Sequence, residues 1–455
     1  MTVDEGPEAL LELARRVVER ARAGEQVEAF ALRKVETEVE ALRGEVDALS
    51  SAETRGVGVR VIVEGRQGYA STAVVNEVGL GEALTEARSN AVVATPDDAN
   101  RLPTSQAPAE VGELVDSRLL DTPVEEKIRL ALELERVATD DPRVRGVDIA
   151  KYGDVYVRAA LASTEGLALT AARTDAWAFV MPLASDHDET QTGLGVTIGR
   201  SADELDVEAA GREGAQRAVR LLGATKPDSR RTAVVFDPYA TASFLGVLAR
   251  TLSAEAVLKG RSLFADRLGD QVAGEDLTLL DDGLLADGPA TAPFDGEGVP
   301  QHTTALIQGG TLRSFLHNTW SALRFGEGAS STGNASRGSF TSSPGIAPTN
   351  LYLEPGPLDP ARVLATAGEA VYVQDVAGLH SGANPISGDF SVGVTGLAVR
   401  GGELAEPFRE ATVASTIVEL LRAITVVGDD LRFLPFHGAL GGSTVLVAEM
   451  SVSGR

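Results

Sequence analysis

The sequence predicts an α+β fold in two domains. An N-terminal mixed α/β domain of hairpins and helices spans residues 1–223, and a C-terminal, mainly β domain with a few helices spans residues 232–455. Three observations carry this expectation. A chain of 455 residues is too long for one compact core. Long amphipathic patterns alternate with hairpin-like strands in the first half, whereas the second half is mostly short alternating runs divided by glycine turns. Between the halves, Gly223-Ala-Thr-Lys-Pro-Asp-Ser-Arg-Arg231 is polar, contains proline and leads straight into the buried-looking Thr232-Ala-Val-Val-Phe236.

In chain order, Leu10, Leu11, Ala14, Val17, Val18 and Ala21 recur at helical spacing and predict a helix over residues 7–22. Alternation predicts strands over 27–39 and 56–64, the second turned by Gly65-Arg-Gln-Gly68 into Tyr69-Ala-Ser-Thr72. Helices are predicted over 80–94 and 124–139, and Pro96, Pro103 and Pro108 make 95–108 a surface loop. Strands over 147–153, 154–163 and 167–180 follow, with turns at Tyr152-Gly-Asp154 and Glu165-Gly166, covered by a helix over 203–222. The second half opens with the strand 232–236 and a helix over 238–258. Its clearest hairpin, 301–318, turns at Gly309-Gly310. Strands over 370–375 and 444–452 and a helix over 414–424 complete the reading.

Composition narrows the function. Hydrophobic residues make up 43% of the chain and no apolar run reaches the length of a membrane span, so a soluble globular protein is expected. The N-terminus has neither a basic start nor an apolar signal core, which points to the cytoplasm. There is no cysteine, which excludes disulfides, thiolate nucleophiles and cysteine-containing metal sites. A net charge of −25, from 66 acidic and 41 basic residues, argues against non-specific binding to DNA or anionic membranes, which needs a positive field.

Two stretches stand out. Asn384-Pro-Ile-Ser-Gly-Asp-Phe-Ser-Val-Gly-Val-Thr-Gly396 alternates small positions with Phe390, Val392 and Val394, so one strand face packs while the other stays bare. Glycine inside a strand marks a close approach by backbone or ligand. Ser330-Ser-Thr-Gly-Asn-Ala-Ser-Arg-Gly-Ser-Phe340 is nearly free of large apolar residues and reads as unable to build core. Together they are expected to line one groove.

Familiar catalytic patterns are missing. There is no phosphate-cradling glycine loop before a helix and no Gly-x-Ser-x-Gly elbow. His380 and Ser381 are neighbours that point to opposite faces of an extended chain, so Ser381 reads as a loop serine. None of the five histidines precedes a glutamate. A two-residue turn at Gly309-Gly310 would set His302 opposite His317, a weak alternative metal site with no third ligand and more simply a polar cross-strand pair. Asp295, Glu297, Asp375 and Asp389 are acid–base candidates that sequence does not pair; Asp295-Gly-Glu-Gly298 reads as an Asx-type turn, and Asn334 and Asn350 as turn formers.

Ala292-Pro-Phe-Asp-Gly-Glu-Gly-Val299, the glycine-turned hairpin, Ser331-Thr-Gly-Asn-Ala335 and Ser387-Gly-Asp-Phe-Ser391 with Gly393 and Gly396 come in the order seen in the TldD/PmbA family, once called modulator of DNA gyrase. The C-terminal half resembles that family throughout; the N-terminal half agrees in layout. TldD-type chains of the family carry a His-Glu-x-x-x-His helix and a later cysteine ligand for zinc. The matching region here, residues 239–260, has no histidine, so the chain resembles the zinc-less PmbA (TldE) type.

The resemblance implies a cytoplasmic subunit that is inactive alone, with no cofactor of its own, and zinc held by a TldD-type catalytic partner. The assembly would be a heterodimer with that partner or a homodimer, acting on extended peptide without membrane or direct nucleic-acid contact. Ser331, Thr332, Gly333, Asn334, Ser387, Gly388, Asp389, Phe390, Ser391 and Gly393 are the expected groove residues, with no catalytic residue among them. Two other readings stay open: a stand-alone peptidase using His302 and His317 or carboxylates, and a regulatory protein that binds gyrase.

Overall fold

The computed structural model describes residues 6–434 and 439–455, except for the side chain of His380. Residues 435–438, with His437, lie outside the described residues, as does the extreme N-terminus on which the cytoplasmic expectation partly rested.

The first half builds one seven-stranded sheet in the order β3-β2-β1-β4-β5-β6, with β7 also on β5. Helix α1 (Pro7–Val18) leads into strands β1 (Gln26–Leu42), β2 (Glu45–Val63) and β3 (Arg66–Thr72). Helices α2 (Glu77–Val93), α3 (Ser117–Asp121) and α4 (Val124–Ala138) come next. Strands β4 (Val144–Ser163), β5 (Ala168–Asp186), β6 (Glu189–Thr192) and β7 (Gly195–Gly199) follow, then α5 (Val207–Val219). β1, β2, β4 and β5 run 17 to 20 residues, long enough for two helix pairs to sit end to end on one face. At one end Leu10, Ala14 and Leu84 pack on Val27, Ala29 and Val59; at the other Leu130 and Leu134 pack on Val39, Ala150 and Tyr152. Strand alternation then aims Glu28, Phe30 and Leu32 at the opposite face, where Phe30 and Leu32 meet Phe340 of the second half.

The expected turn at Tyr152-Gly-Asp154 does not form. β4 runs through it, with Val39 opposite Tyr152 and Thr37 opposite Asp154. Gly153 is instead a close approach, since a Cβ there would lie 2.5 Å from the Trp177 ring. The turn at Glu165-Gly166 forms as expected, with Gly166 at φ +90°.

The second half holds two six-stranded sheets around one helix. Its chain order begins β8 (Arg230–Phe236), α6 (Pro238–Thr251), α7 (Ala254–Leu258), β9 (Leu279–Asp282), β10 (Thr303–Gln308), β11 (Thr311–Leu312) and α8 (Thr319–Phe325). Next come β12 (Ala335–Ser336), β13 (Gly345–Ile346), β14 (Asn350–Leu353), α9 (Pro360–Ala367), β15 (Ala370–Ala377) and α10 (Leu379–Gly382). The last are β16 (Asp389–Arg400), β17 (Glu403–Thr416), α11 (Ile417–Ala423), β18 (Ile424–Val427), β19 (Arg432–Leu434), β20 (Ala439–Gly442) and β21 (Val445–Ser453). One sheet runs β17-β16-β15-β8-β21-β18, and an added β17–β21 pairing closes five of its strands into a barrel. The other runs β11-β10-β9-β14-β20-β19. α6 sits between them, burying Tyr239, Ala242, Leu245 and Leu248 in a core shared with Phe236, Val373, Leu351 and Leu440.

The Gly309-Gly310 turn is present, but its ladder ends after two pairs, Gln308–Thr311 and Ile307–Leu312. The helix expected from residue 414 begins at Ile417, because Ala414–Thr416 belong to β17 and Thr416 and Glu419 form a capping box.

Candidate functional site

Asp237 starts α6. Its Oδ1 accepts from the Tyr239 N–H at 2.9 Å, and Pro238 occupies the first turn, where a missing N–H does no harm. The other carboxylate oxygen accepts from Arg217 of α5 at 2.7 Å and from the Tyr372 hydroxyl, which ties the helix start to both halves of the protein. One face of α6 is core. The other presents Ser243, Gly246, Val247 and Arg250, spaced three and four residues apart and therefore in one row. This row floors a cleft of about 760 Å³. Ile346, Ala347 and Pro348 make one wall, and Val376, Gly378, Leu379 and Pro385 another. Leu440, Ser253, Glu255 and Arg261 complete much of the lining.

None of the ten expected groove residues is among those lining this cleft. Their hydrogen-bonded neighbours are. The Asn334 carbonyl accepts from the Ala347 N–H at 3.1 Å, and its side-chain amide donates to the Ala347 carbonyl at 3.1 Å. Across the cleft, Val394 and Gly393 of β16 pair with Val376 and Ala377 of β15. The two stretches thus stand behind opposite walls. β16 pairs with β17 along its length and with β15 from Gly393 onward, and Phe390 also bridges Ala383, so it offers no open edge for an added strand. Ser387, Asp389 and Ser391 point to solvent, whereas Gly388 and Phe390 are buried.

Residues 331–334 overturn a stronger expectation. Thr332, Gly333 and Asn334 are buried, because small polar groups build core when every one finds a partner. Asn334 donates to Asp281 Oδ2 at 2.6 Å and accepts from Thr332 Oγ1 at 2.6 Å; Thr332 Oγ1 also takes the His317 N–H at 2.7 Å. Ser331 Oγ donates to the His317 carbonyl at 3.3 Å. Gly333 and Asn334 do reach a smaller cavity, of about 300 Å³, between the first-half sheet and the second half. Asn350 is not a turn former; it opens β14, accepting from the Ala290 N–H at 2.9 Å and donating to the Asp282 carbonyl at 2.6 Å.

Asp295-Gly-Glu-Gly298 is the Asx-type turn expected. Asp295 Oδ1 accepts from the N–H groups of Glu297 at 2.8 Å and Val299 at 3.0 Å, and Oδ2 from that of Ala335 at 3.0 Å. Burial, reinforced by the neighbouring Glu297 charge, pushes Asp295 up to about 7. Burial likewise pushes Asp281 up to about 6. Burial alone would raise Glu297 too, but Arg60 and the Thr319 N–H hold it below the usual range. Arg60 of β2 bridges Glu297 at 2.7 Å and Glu28 at 2.6 Å, and Arg337 also reaches Glu28. Sequence reading missed this network, because Glu28 and Arg60 look like the solvent side of alternating strands.

The two histidines do not meet across the hairpin. His302 is exposed beside the Pro300 carbonyl. His317 is buried edge-on to Phe325 with Nδ1 3.3 Å from Ser321 Oγ, and burial drives it down to about 4. Ser381 is hydrogen-bonded locally, its Oγ donating to the Gly378 carbonyl at 3.3 Å. No cluster of three metal-ligating side chains occurs among the described residues. The cleft does not fit a zinc ion either. Its described lining offers no imidazole, its one carboxylate (Glu255) is engaged by Lys259, and its two arginines repel cations.

Three family descriptions match in order: PmbA/TldA metallopeptidase domain 1 over residues 27–92, the central domain over 117–222 and the C-terminal domain over 229–454. The chain belongs to the PmbA/TldD family. A Methanothermobacter thermautotrophicus relative named metalloprotease is 28% identical over 409 residues, covering 88% of this chain and 87% of its own length. Among solved PmbA/TldD folds, a Thermotoga maritima protein described as a candidate modulator of a DNA gyrase superposes with TM-score 0.89 at 28% identity, over 97% of this chain and 99% of that one. TldE from Thermococcus kodakarensis shares the fold with TM-score 0.86 at 20% identity, over 98% and 99% of the two chains. The first two family units correspond here to one continuous sheet rather than two. No helix among the described residues is long and apolar enough to cross a membrane.

Proposed function

We propose that this chain is the zinc-less, non-catalytic subunit of a two-component TldD/TldE-type metalloprotease, and that the cleft along α6 forms part of a groove for extended peptide. The observation that carries this reading is the row α6 turns to the cleft: Ser243, Gly246, Val247 and Arg250, with no metal ligand among them. A zinc peptidase needs three protein ligands and an open position for water. In this reading a TldD-type partner holds the zinc and this chain supplies binding surface. Small lining residues such as Gly246, Ala347 and Gly378 suit main-chain recognition, which tolerates varied peptide sequence. The edge of β2 supports assembly: β3 pairs with it only from Val57, leaving 45–56 without a strand on that side, with Val46 and Leu49 exposed. Such an edge can pair with a TldD-type chain or a second copy in the cytoplasm.

The test combines metal content and cleavage. The lone chain is expected to carry no stoichiometric zinc by mass spectrometry and to leave casein uncut, with cleavage appearing once a TldD-type subunit is added. One zinc per chain together with cleavage by the lone chain would contradict the proposal.

A further inference from the structure

Arg250 and Arg261 enter the same cleft from different segments, one from the last turn of α6 and the other from the stretch after α7. Both are exposed, and neither side chain forms a hydrogen bond or ion pair with another described residue. Buried or half-buried arginines of this chain of net charge −25, such as Arg60, Arg88 and Arg217, are by contrast held by carboxylates. The lining carboxylate, Glu255, leaves them alone because it pairs with Lys259 one turn along. The rest of the cleft is apolar or small: Val247, Ile346, Pro348, Val376, Leu379 and Leu440. At about 760 Å³ it lies within the roughly 300–1,000 Å³ range of built ligand sites.

We infer that Arg250 and Arg261 form a carboxylate-binding subsite that anchors the anionic end or an acidic side chain of a peptide lying in the cleft. A guanidinium fork matches a carboxylate in shape and charge, and the apolar walls lower the local dielectric and strengthen the contact. The net charge of −25 disfavours anions over the surface as a whole, so an acidic group gains by settling where two unpaired guanidinium groups share a concave site. The inference rests on the groove reading above and adds what the groove selects.

The experiment is calorimetric titration of the full chain, alone and mixed with a TldD-type subunit, with acetyl-tetraalanine as probe. Its C-terminal amide, and that amide with one internal aspartate, are the comparisons. The free acid is expected to bind about tenfold or more tighter than the plain amide, as a charge-assisted hydrogen-bond pair would give. Arg250→Gln and Arg261→Gln are each expected to erase most of that difference while leaving thermal unfolding unchanged. Tight binding of the internal-aspartate amide, lost in the same variants, would assign the subsite to an acidic side chain. Equal binding of acid and amides, or binding of the acid unchanged in the double variant, would overturn the subsite but leave the groove standing. Absence of binding by every peptide, with and without the partner, would overturn both.

Discussion

Arg60 and Arg250 are the same side chain in opposite settings. Arg60 is 4% exposed and lies between Glu28 and Glu297, joining the sheet of the first half to the Asx turn of the second. Arg250 stands at the mouth of a cleft with no partner among the described residues. Burying a guanidinium is tolerable only when carboxylates replace its lost water, so around Arg60 the charges are paired and the site is architecture. A cation left unpaired in a concave, partly apolar place keeps its capacity for a partner from outside. The difference separates what holds the halves together from what remains free to bind.

The comparison is broken most strongly at Arg60. Arg60→Ala strands the buried Glu297, leaves Glu28 to Arg337 alone, and is expected to lower stability by about 3–5 kcal/mol, read as a fall in urea midpoint. Arg60→Met with Glu297→Gln is expected to recover much of that loss, because Glu28 keeps Arg337 and no buried charge of the network is then unpaired. If the single variant were as stable as the parent, the network would not be fastening the halves.

His317 tests the same buried region through pH. Its folded-state value near 4 lies below the ordinary 6.5, so between those values the unfolded chain binds a proton that the folded chain does not. Its contribution to stability is therefore complete above about pH 6.5 and lost as pH falls towards 4, by on the order of 3 kcal/mol in total. Asp281 and Asp295, raised by burial, act in the opposite sense: their contribution is present at low pH and fades as pH rises through about 6 and 7. Both remain in His317→Leu. The stability gap between parent and variant is thus expected to shift against the parent as pH drops from 7 to 4. A constant gap would show that His317 titrates normally.

The smallest stability effect is expected at the cleft. Arg250→Gln removes an exposed, unpaired side chain and is expected to change folding stability by less than about 0.5 kcal/mol, measured beside Arg60→Ala under the same denaturant. A large loss would mean that Arg250 has a structural partner.

Much of the architecture was legible because local chemistry dictated it. Gly309-Gly310 and Glu165-Gly166 turn where glycine permits positive φ, and Pro7 and Pro238 open helices. Gly153 misled because a glycine that makes room for Trp177 looks the same in sequence as one that turns a chain. The polar stretch at 331–334 misled because its partners are remote: Asp281 lies 53 residues from Asn334, and only the fold brings them together. The two stretches expected to line one groove lie behind the walls of the cleft, and the residues facing it are their neighbours across a ladder or a hydrogen bond. The row on α6 was readable in principle, since Ser243, Gly246, Val247 and Arg250 recur at helical spacing. Arg261 was not, because nothing local links it to that row.

Hydrogen exchange of the full chain, with and without acetyl-tetraalanine and a TldD-type subunit, tests most directly whether the α6 cleft is where peptide lies. Peptide is expected to slow exchange at residues 345–347 and 376–379, on the two walls, and to leave 389–391 unchanged. Slowing at 389–391, or around the separate Trp177 and Arg200 cavity, with both walls unaffected, would contradict the account.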